Sequence, residues 1–391
     1  MSRSRQLVLA LCIAVLPGCA SKPPQPVDRR QAVEAARASG YLSARSEVQG
    51  WQATWEVGGQ QVDVAWLAPK TATQAPLLVY LPGMGEDARA GELWRHAWAE
   101  AGYAVLSLQP RQFGRALYSS PQAQAGSFRN LARDIYATEA LQTRLLAVEA
   151  VLAEARRRAL AGDVALAGVD WQQWAVAGFD LGAQTAAALA GERETQRLSS
   201  LRPSAVVLLS PYVADGTEVK RFASLDTPVL AVSGPHDEDP LGWVSSAGQR
   251  ESLWRGLQVQ GSYRLLALSA EHAELSGNVP EPMGARGRGE GRPSDGPPGG
   301  PSDMPLGFDA GGGRGAPPGG QGPGGRSGPG QRMGRGGGME ASFDPRQVAN
   351  VQAVSLAFLD WRVRKLSAAE HWLKASASEW MAGSALLEEK P

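Results

Sequence analysis

The stretch Trp174-Ala175-Val176-Ala177-Gly178-Phe179-Asp180-Leu181-Gly182-Ala183-Gln184-Thr185 decides the fold. Trp174 to Ala177 reads as a buried strand, and Ala183 to Ala190 as a helix of small residues. Gly178 to Gly182 leaves room between them only for a tight turn. A strand that enters a helix so abruptly brings the two backbones close. Glycines two before and two after the central residue remove the side chains that would collide. The central side chain, Asp180, is then lifted above the sheet edge at the N-terminus of the helix. A bare Gly-x-x-x-Gly is weak evidence, but framed by strand and helix it predicts a strained elbow with Asp180 at its tip.

On the N-terminal side, Asp28 to Ser39 has helical character. Trp51 to Val57 and Gln61 to Leu67 alternate and meet at Gly58-Gly59, which predicts a hairpin. Leu77 to Leu81 is a short buried strand ended by Pro82-Gly83-Met84-Gly85. A helix over Gly91 to Ala101 follows, then a strand over Ala104 to Leu108, broken by Gln109-Pro110. Apolar residues at helical spacing (Leu131, Ile135, Leu141, Leu145, Val148, Leu152) predict one long helix over Ser127 to Leu160. Beyond the elbow, Ala205 to Leu209, Pro228 to Val232 and Tyr263 to Leu268 are strand-like, the last being the final strand expected. Helices are expected over Asp344 to Leu366 and Ala368 to Met381. Alternating strands and helices after an opening hairpin predict an α/β fold, a doubly wound and mostly parallel sheet.

The composition changes sharply over 277–340, where Gly, Pro, Arg and Ser dominate. Such a stretch buries too little apolar surface to offset its ordering entropy and reads as a disordered insertion. Its arginines, among them Arg286, Arg288 and Arg314, resemble those of RNA-binding tails. In an exported protein a flexible spacer is the simpler reading. The globular domain is therefore expected over 28–276, completed by helices within 341–384.

The first 19 residues read as a targeting segment. Arg3 and Arg5 precede an apolar run, Leu7 to Leu16, that is too short to span a bilayer. Leu16-Pro17-Gly18-Cys19 resembles a lipobox, which implies a lipid on Cys19, a tether over 20–27 and attachment to a membrane. Ala20 after the cysteine implies the outer membrane, facing the periplasm. Cys12 would leave with the signal and Cys19 would be consumed by lipid, so the mature domain holds no disulfide or catalytic thiol. Lys plus Arg and Asp plus Glu both number 39, which gives no reason to expect nucleic acid as a partner. No cofactor motif is present, and His236-Asp237-Glu238-Asp239 reads as a turn rather than a metal site.

The elbow stretch resembles the Gly-His-Ser-x-Gly-Ala-x-Thr elbow of bacterial α/β-hydrolases of the predicted dienelactone hydrolase and platelet-activating-factor acetylhydrolase type. Leu77 to Glu86 is similar to that family's strand and oxyanion loop, with Pro82-Gly83 in place of His-Gly. The helix holding Ala357-Phe358-Leu359-Asp360 and the later His371-Trp372-Leu373 are similar too. The resemblance covers Leu77 to Leu373 outside the insertion and implies an α/β-hydrolase fold without a cap domain. It assigns the acid to Asp237, within Gly234-Pro235-His236-Asp237, with Asp239 the next choice. It assigns the histidine to His272 and the oxyanion donors to the backbone N–H groups of Met84 and Leu181.

This chain departs from the family at the residue that matters most. Asp180 replaces serine and Phe179 the histidine before it. Asp180 would then be the nucleophile toward a small ester or related electrophile, with His272 and Asp237 activating water. Leu181 stands where dehalogenases place a halide-holding tryptophan, and the short link between Leu209 and Pro228 leaves no room for a tyrosine-bearing cap. The other expectation is a catalytically inactive lipoprotein that binds a ligand or partner. Ser107 and Ser210 end strands but stand in no elbow, and neither is expected to be a nucleophile.

Overall fold

The computed structural model describes residues 29–71, 73–192, 199–214, 219–239, 241–244, 246–279 and 343–391. Helix α1 (Arg29–Arg37) precedes a hairpin of β1 (Val48–Val57) and β2 (Gln60–Pro69). Val57 pairs with Gln60 across Gly58 and Gly59, both at positive φ, as the Gly-Gly pair predicts. Next come β3 (Ala75–Leu81), α2 (Glu92–Glu100), β4 (Ala104–Pro110) and α3 (Pro121–Gln124). They are followed by α4 (Phe128–Ile135), α5 (Thr138–Leu160) and α6 (Val164–Ala167). The elbow joins β5 (Val169–Phe179) to α7 (Leu181–Leu189). Then follow β6 (Val206–Leu209), β7 (Val229–Ser233), α8 (Glu251–Gly256), β8 (Tyr263–Ala267) and α9 (His272–Leu275). After residue 342 the chain adds α10 (Pro345–Arg362), α11 (Ser367–Ala375), α12 (Ala377–Met381) and β9 (Ala385–Glu389).

The nine strands among the described residues form one sheet in the order β1-β2-β4-β3-β5-β6-β7-β8-β9. From β4 to β8 the neighbours are parallel, and the outer pairings, β1 with β2, β2 with β4 and β8 with β9, are antiparallel. The protein is thus mixed α/β with a mostly parallel sheet. Side chains alternate across it with period two. Leu77, Val79 and Leu81 of β3 join the core under α5 and α7, while Leu78 and Tyr80 join the opposite core under α2 and α10. Both faces being covered explains why the central strands read as unbroken apolar runs.

Several expectations are corrected. The helix expected over Ser127 to Leu160 is two, broken at Tyr136 and Ala137. Two side chains take the carbonyls this break exposes: Arg144 Nη1 donates to Ile135 O at 2.7 Å and Gln184 Nε2 to Tyr136 O at 2.9 Å. Periodicity continues across the break because both helices keep an apolar face toward the protein. Tyr263–Ala267 is not the last strand, since β9 pairs antiparallel with it, Leu265 opposite Leu387. The helix expected over Ala368 to Met381 is split at Ser376. Strand β4 runs through Gln109 to Pro110, which pairs with Val62 at the strand end, where a missing N–H is tolerated. Gly277 to Val279 belong to the fold, because Leu93 N donates to Gly277 O and Gly91 N to the Asn278 side chain. The rest of the composition-biased stretch, the targeting segment, Cys19 and the tether lie outside the described residues. Among those described, no helix is long and apolar enough to cross a membrane.

Candidate active site

Asp180 sits at the tip of the elbow with φ 49° and ψ −106°, a backbone conformation that side-chain-bearing residues rarely adopt. Holding it there costs about 1–3 kcal/mol, which the surrounding packing must offset. The flanking glycines are required sterically. A Cβ on Gly178 would lie 2.3 Å from Gly182 O, and one on Gly182 only 1.9 Å from Leu81 O. Both obstacles are backbone, so neither can yield.

The broken helix supplies the partner of Asp180. Tyr136, at the C-terminus of α4, donates its hydroxyl to Asp180 Oδ1 at 2.7 Å. Its ring stacks on Tyr212, centroids 4.0 Å apart and planes 10° apart. Burial, then the charge of Asp180 and this hydrogen bond, raise the Tyr136 pKa well above its usual value, so the phenol stays a donor. Behind it Arg144 is buried and bonded to Thr185 Oγ1 at 2.9 Å and to Gln184. Burial lowers its pKa to about 9, with Tyr136 and Asp180 opposing, so it remains cationic at neutral pH beneath the elbow.

Asp237 and His272 meet because their loops pair. His236 and Glu271 form an isolated parallel bridge just past the ends of β7 and β8, which aligns the next residue of each loop. His272 Nδ1 lies 2.8 Å from Asp237 Oδ1. The same oxygen accepts from Ser210 Oγ at 2.7 Å, and that hydroxyl is 3.0 Å from His272 Nδ1. Arg250 Nε lies 3.1 Å from Asp237 Oδ2 with both side chains fully buried. Its hydrogen points to the main-chain carbonyl of Asp237, also at 3.1 Å, so the Oδ2 contact is electrostatic rather than a directed hydrogen bond. Burial alone would lower the His272 pKa. The Asp237 hydrogen bond and the charges of Asp180 and Asp237 outweigh burial and Arg250, and the net shift is upward. Phe179 packs on the imidazole, ring centroids 4.9 Å apart. Asp239, the other acid considered, instead caps its own loop, accepting from Leu241 N at 3.1 Å and Val244 N at 3.0 Å.

Leu181 opens α7 and is fully buried. Met84 lies in the facing loop, where Gly83 N donates to Glu86 Oε2 at 2.7 Å. Glu86 Oε1 accepts from Asn278 Nδ2 at 2.6 Å, tying this loop to the segment just after His272. Burial pushes the Glu86 pKa up to about 7, with Asp180 adding to it and Gly83, Asn278 and His272 opposing.

Asp180, Asp237 and His272 therefore gather at one end of the sheet, with Met84 and Leu181 beside them. Sequence reasoning missed Tyr136, Glu86 and Arg250, and dismissed Ser210. Ser210 carried a usable signal, since it follows β6 as Asp180 follows β5, and it too has positive φ, 50°. No protein-family model matches the chain, and no curated protein matches it in sequence.

Proposed function

We propose that this chain is a hydrolase with an α/β-hydrolase fold in which Asp180 is the nucleophile. What supports the fold is the succession of roles along the sheet: elbow after β5, acid after β7, histidine after β8. The observation that carries the chemistry is the strained Asp180, clamped through Oδ1 by Tyr136. That clamp leaves Oδ2 as the attacking atom. Asp180 would attack an electrophilic carbon to form an ester. His272, oriented by Asp237 and Ser210, would take a proton from the water that hydrolyses it. By its lipobox-like segment the protein would be lipidated on Cys19 and held at the outer membrane, with a small-molecule substrate.

A second reading, a silent site that binds without turnover, draws on one observation. The raised His272 pKa favours imidazolium, which cannot act as a base until the pH is high enough to deprotonate it. Purified protein from Asp28 onward, assayed on chromogenic esters, haloalkanes and epoxides, separates the two. Turnover lost in Asp180→Ala supports the first reading. No wild-type turnover, with esterase activity appearing in Asp180→Ser, supports the second.

A further inference from the structure

Glu86 is half-buried at the edge of the site, and the reading above gives it no task. Its carboxyl is held on both oxygens, by the Gly83 amide and the Asn278 side chain. A Cβ on Gly83 would lie 3.1 Å from Glu86 Oε2 and 2.7 Å from the Phe179 ring, and that ring packs on His272. The carboxyl thus lies across Gly83 from Phe179, the residue preceding Asp180, whose ring is tilted against the His272 imidazole. Gln109 Nε2 holds the backbone beneath it, donating to Gly83 O at 2.9 Å and to Glu86 O at 3.3 Å.

We propose that Glu86 is the acid that protonates the leaving group when Asp180 attacks, and that the substrate is an electrophile whose leaving atom is an oxygen in need of a proton, such as an epoxide or a cyclic ether. This rests on Asp180 as nucleophile. Leu181 offers a departing anion no side-chain donor, whereas a leaving oxygen that needs a proton would take it from Glu86. The charged and titratable groups facing Glu86 are Asp180, His272, Tyr80 and Tyr118, with Asn278 as its neutral partner. Among them its carboxyl retains a proton near neutral pH. Paired carboxyls in unlike environments divide the acid and nucleophile roles in this way.

The step balances. An Asp180 Oδ2 lone pair forms the new C–O bond, the epoxide C–O bond breaks onto its oxygen, and that oxygen takes the Glu86 proton. Water then attacks Asp180 Cγ and gives one proton to neutral His272. The ester C–O bond at Cγ breaks, its oxygen receives the His272 proton, and the remaining water proton returns to Glu86. The sum is epoxide plus water to diol.

The test uses protein from Asp28 onward in a His272→Ala background, where the ester accumulates. Styrene oxide and benzyl bromide both place a benzylic carbon on Asp180, but only the epoxide needs a proton to leave. Mass spectrometry follows the labelling rates with Glu86 and with Glu86→Gln. The ratio of epoxide to bromide labelling should fall by 30-fold or more in Glu86→Gln, and Glu86→Asp should recover part of it. With Glu86 present, epoxide labelling should also decline as rising pH deprotonates Glu86, at a pH above the value of about 7 that holds with His272 in place, because His272 lowers the Glu86 pKa. Asp180 labelled with an unchanged ratio overturns the role of Glu86 alone. No label on Asp180 from either electrophile overturns the nucleophile reading and this proposal together.

Discussion

Replacing Arg250 with methionine tests whether the acid is held by a buried charge pair. Arg250 and Asp237 are both fully buried, with Nε 3.1 Å from Oδ2. Arg250 also donates to Pro211 O at 2.9 Å and to Asp237 O. Methionine fills similar volume but leaves Asp237 Oδ2 facing no cation, with His272 and Ser210 remaining on Oδ1 only. Removing one partner of a buried pair costs about 3–5 kcal/mol, because the remaining charge stays desolvated. At about 2 °C per kcal/mol for a domain of this size, the melting temperature should drop roughly 6–10 °C. Denaturant unfolding and calorimetry of wild type, Arg250→Met, Asp237→Asn and the double variant complete the cycle. The double variant should lose less than the sum of the single losses, since it strands no charge. Because Arg250 is a cation that lowers the His272 pKa, its removal should also raise that pKa further, which NMR of the imidazole reads directly. A loss below about 1 kcal/mol, within the range of exposed pairs, would mean that Arg250 does not hold Asp237 through a buried charge pair.

Four other outcomes are expected. Tyr136→Phe removes the donor to Asp180 Oδ1, a hydrogen bond to a charged group worth about 1.5–3 kcal/mol, and should cost that much in unfolding free energy while slowing Asp180 labelling. The folded pKa of His272 is raised, so its contribution to stability is complete below about pH 6.5 and is lost as pH rises through the folded value. Hydrolysis of the Asp180 ester should run the opposite way and accelerate over the same interval, which stopped-flow measurements across pH would show. Gly182→Ala places a methyl against Leu81 O and should destabilise by about 1–3 kcal/mol or more, seen as lost soluble yield or a lowered midpoint.

What was legible in the sequence was local. The Gly178–Gly182 frame marked Asp180 because backbone proximity leaves a glycine signature within five residues. Asp237 and His272 were singled out through the family resemblance, which expects its acid and histidine after two recognisable strands. The residues that bond to these side chains were hidden by distance along the chain. Tyr136 is 44 residues from Asp180 and reaches it only because a helix breaks there, which amphipathic periodicity conceals since each fragment buries an apolar face of its own. Arg250 lies in a short helical turn with no motif. Ser210 was judged only as a nucleophile, whereas its hydroxyl fixes the acid. Strand β9 was missed because its burial is confined mainly to Ala385, so its sequence lacks the apolar run of the central strands.

The central claim is that the carboxylate of Asp180 enters a covalent bond. A single turnover of styrene oxide by excess protein in H2-18O tests it most directly. The peptide holding Asp180 should gain one 18O, because water attacks Asp180 Cγ and leaves its oxygen in the side chain, while the first diol formed should carry none. Label found in the diol, with the Asp180 peptide unlabelled, would mean that water attacks the substrate itself and would contradict the account.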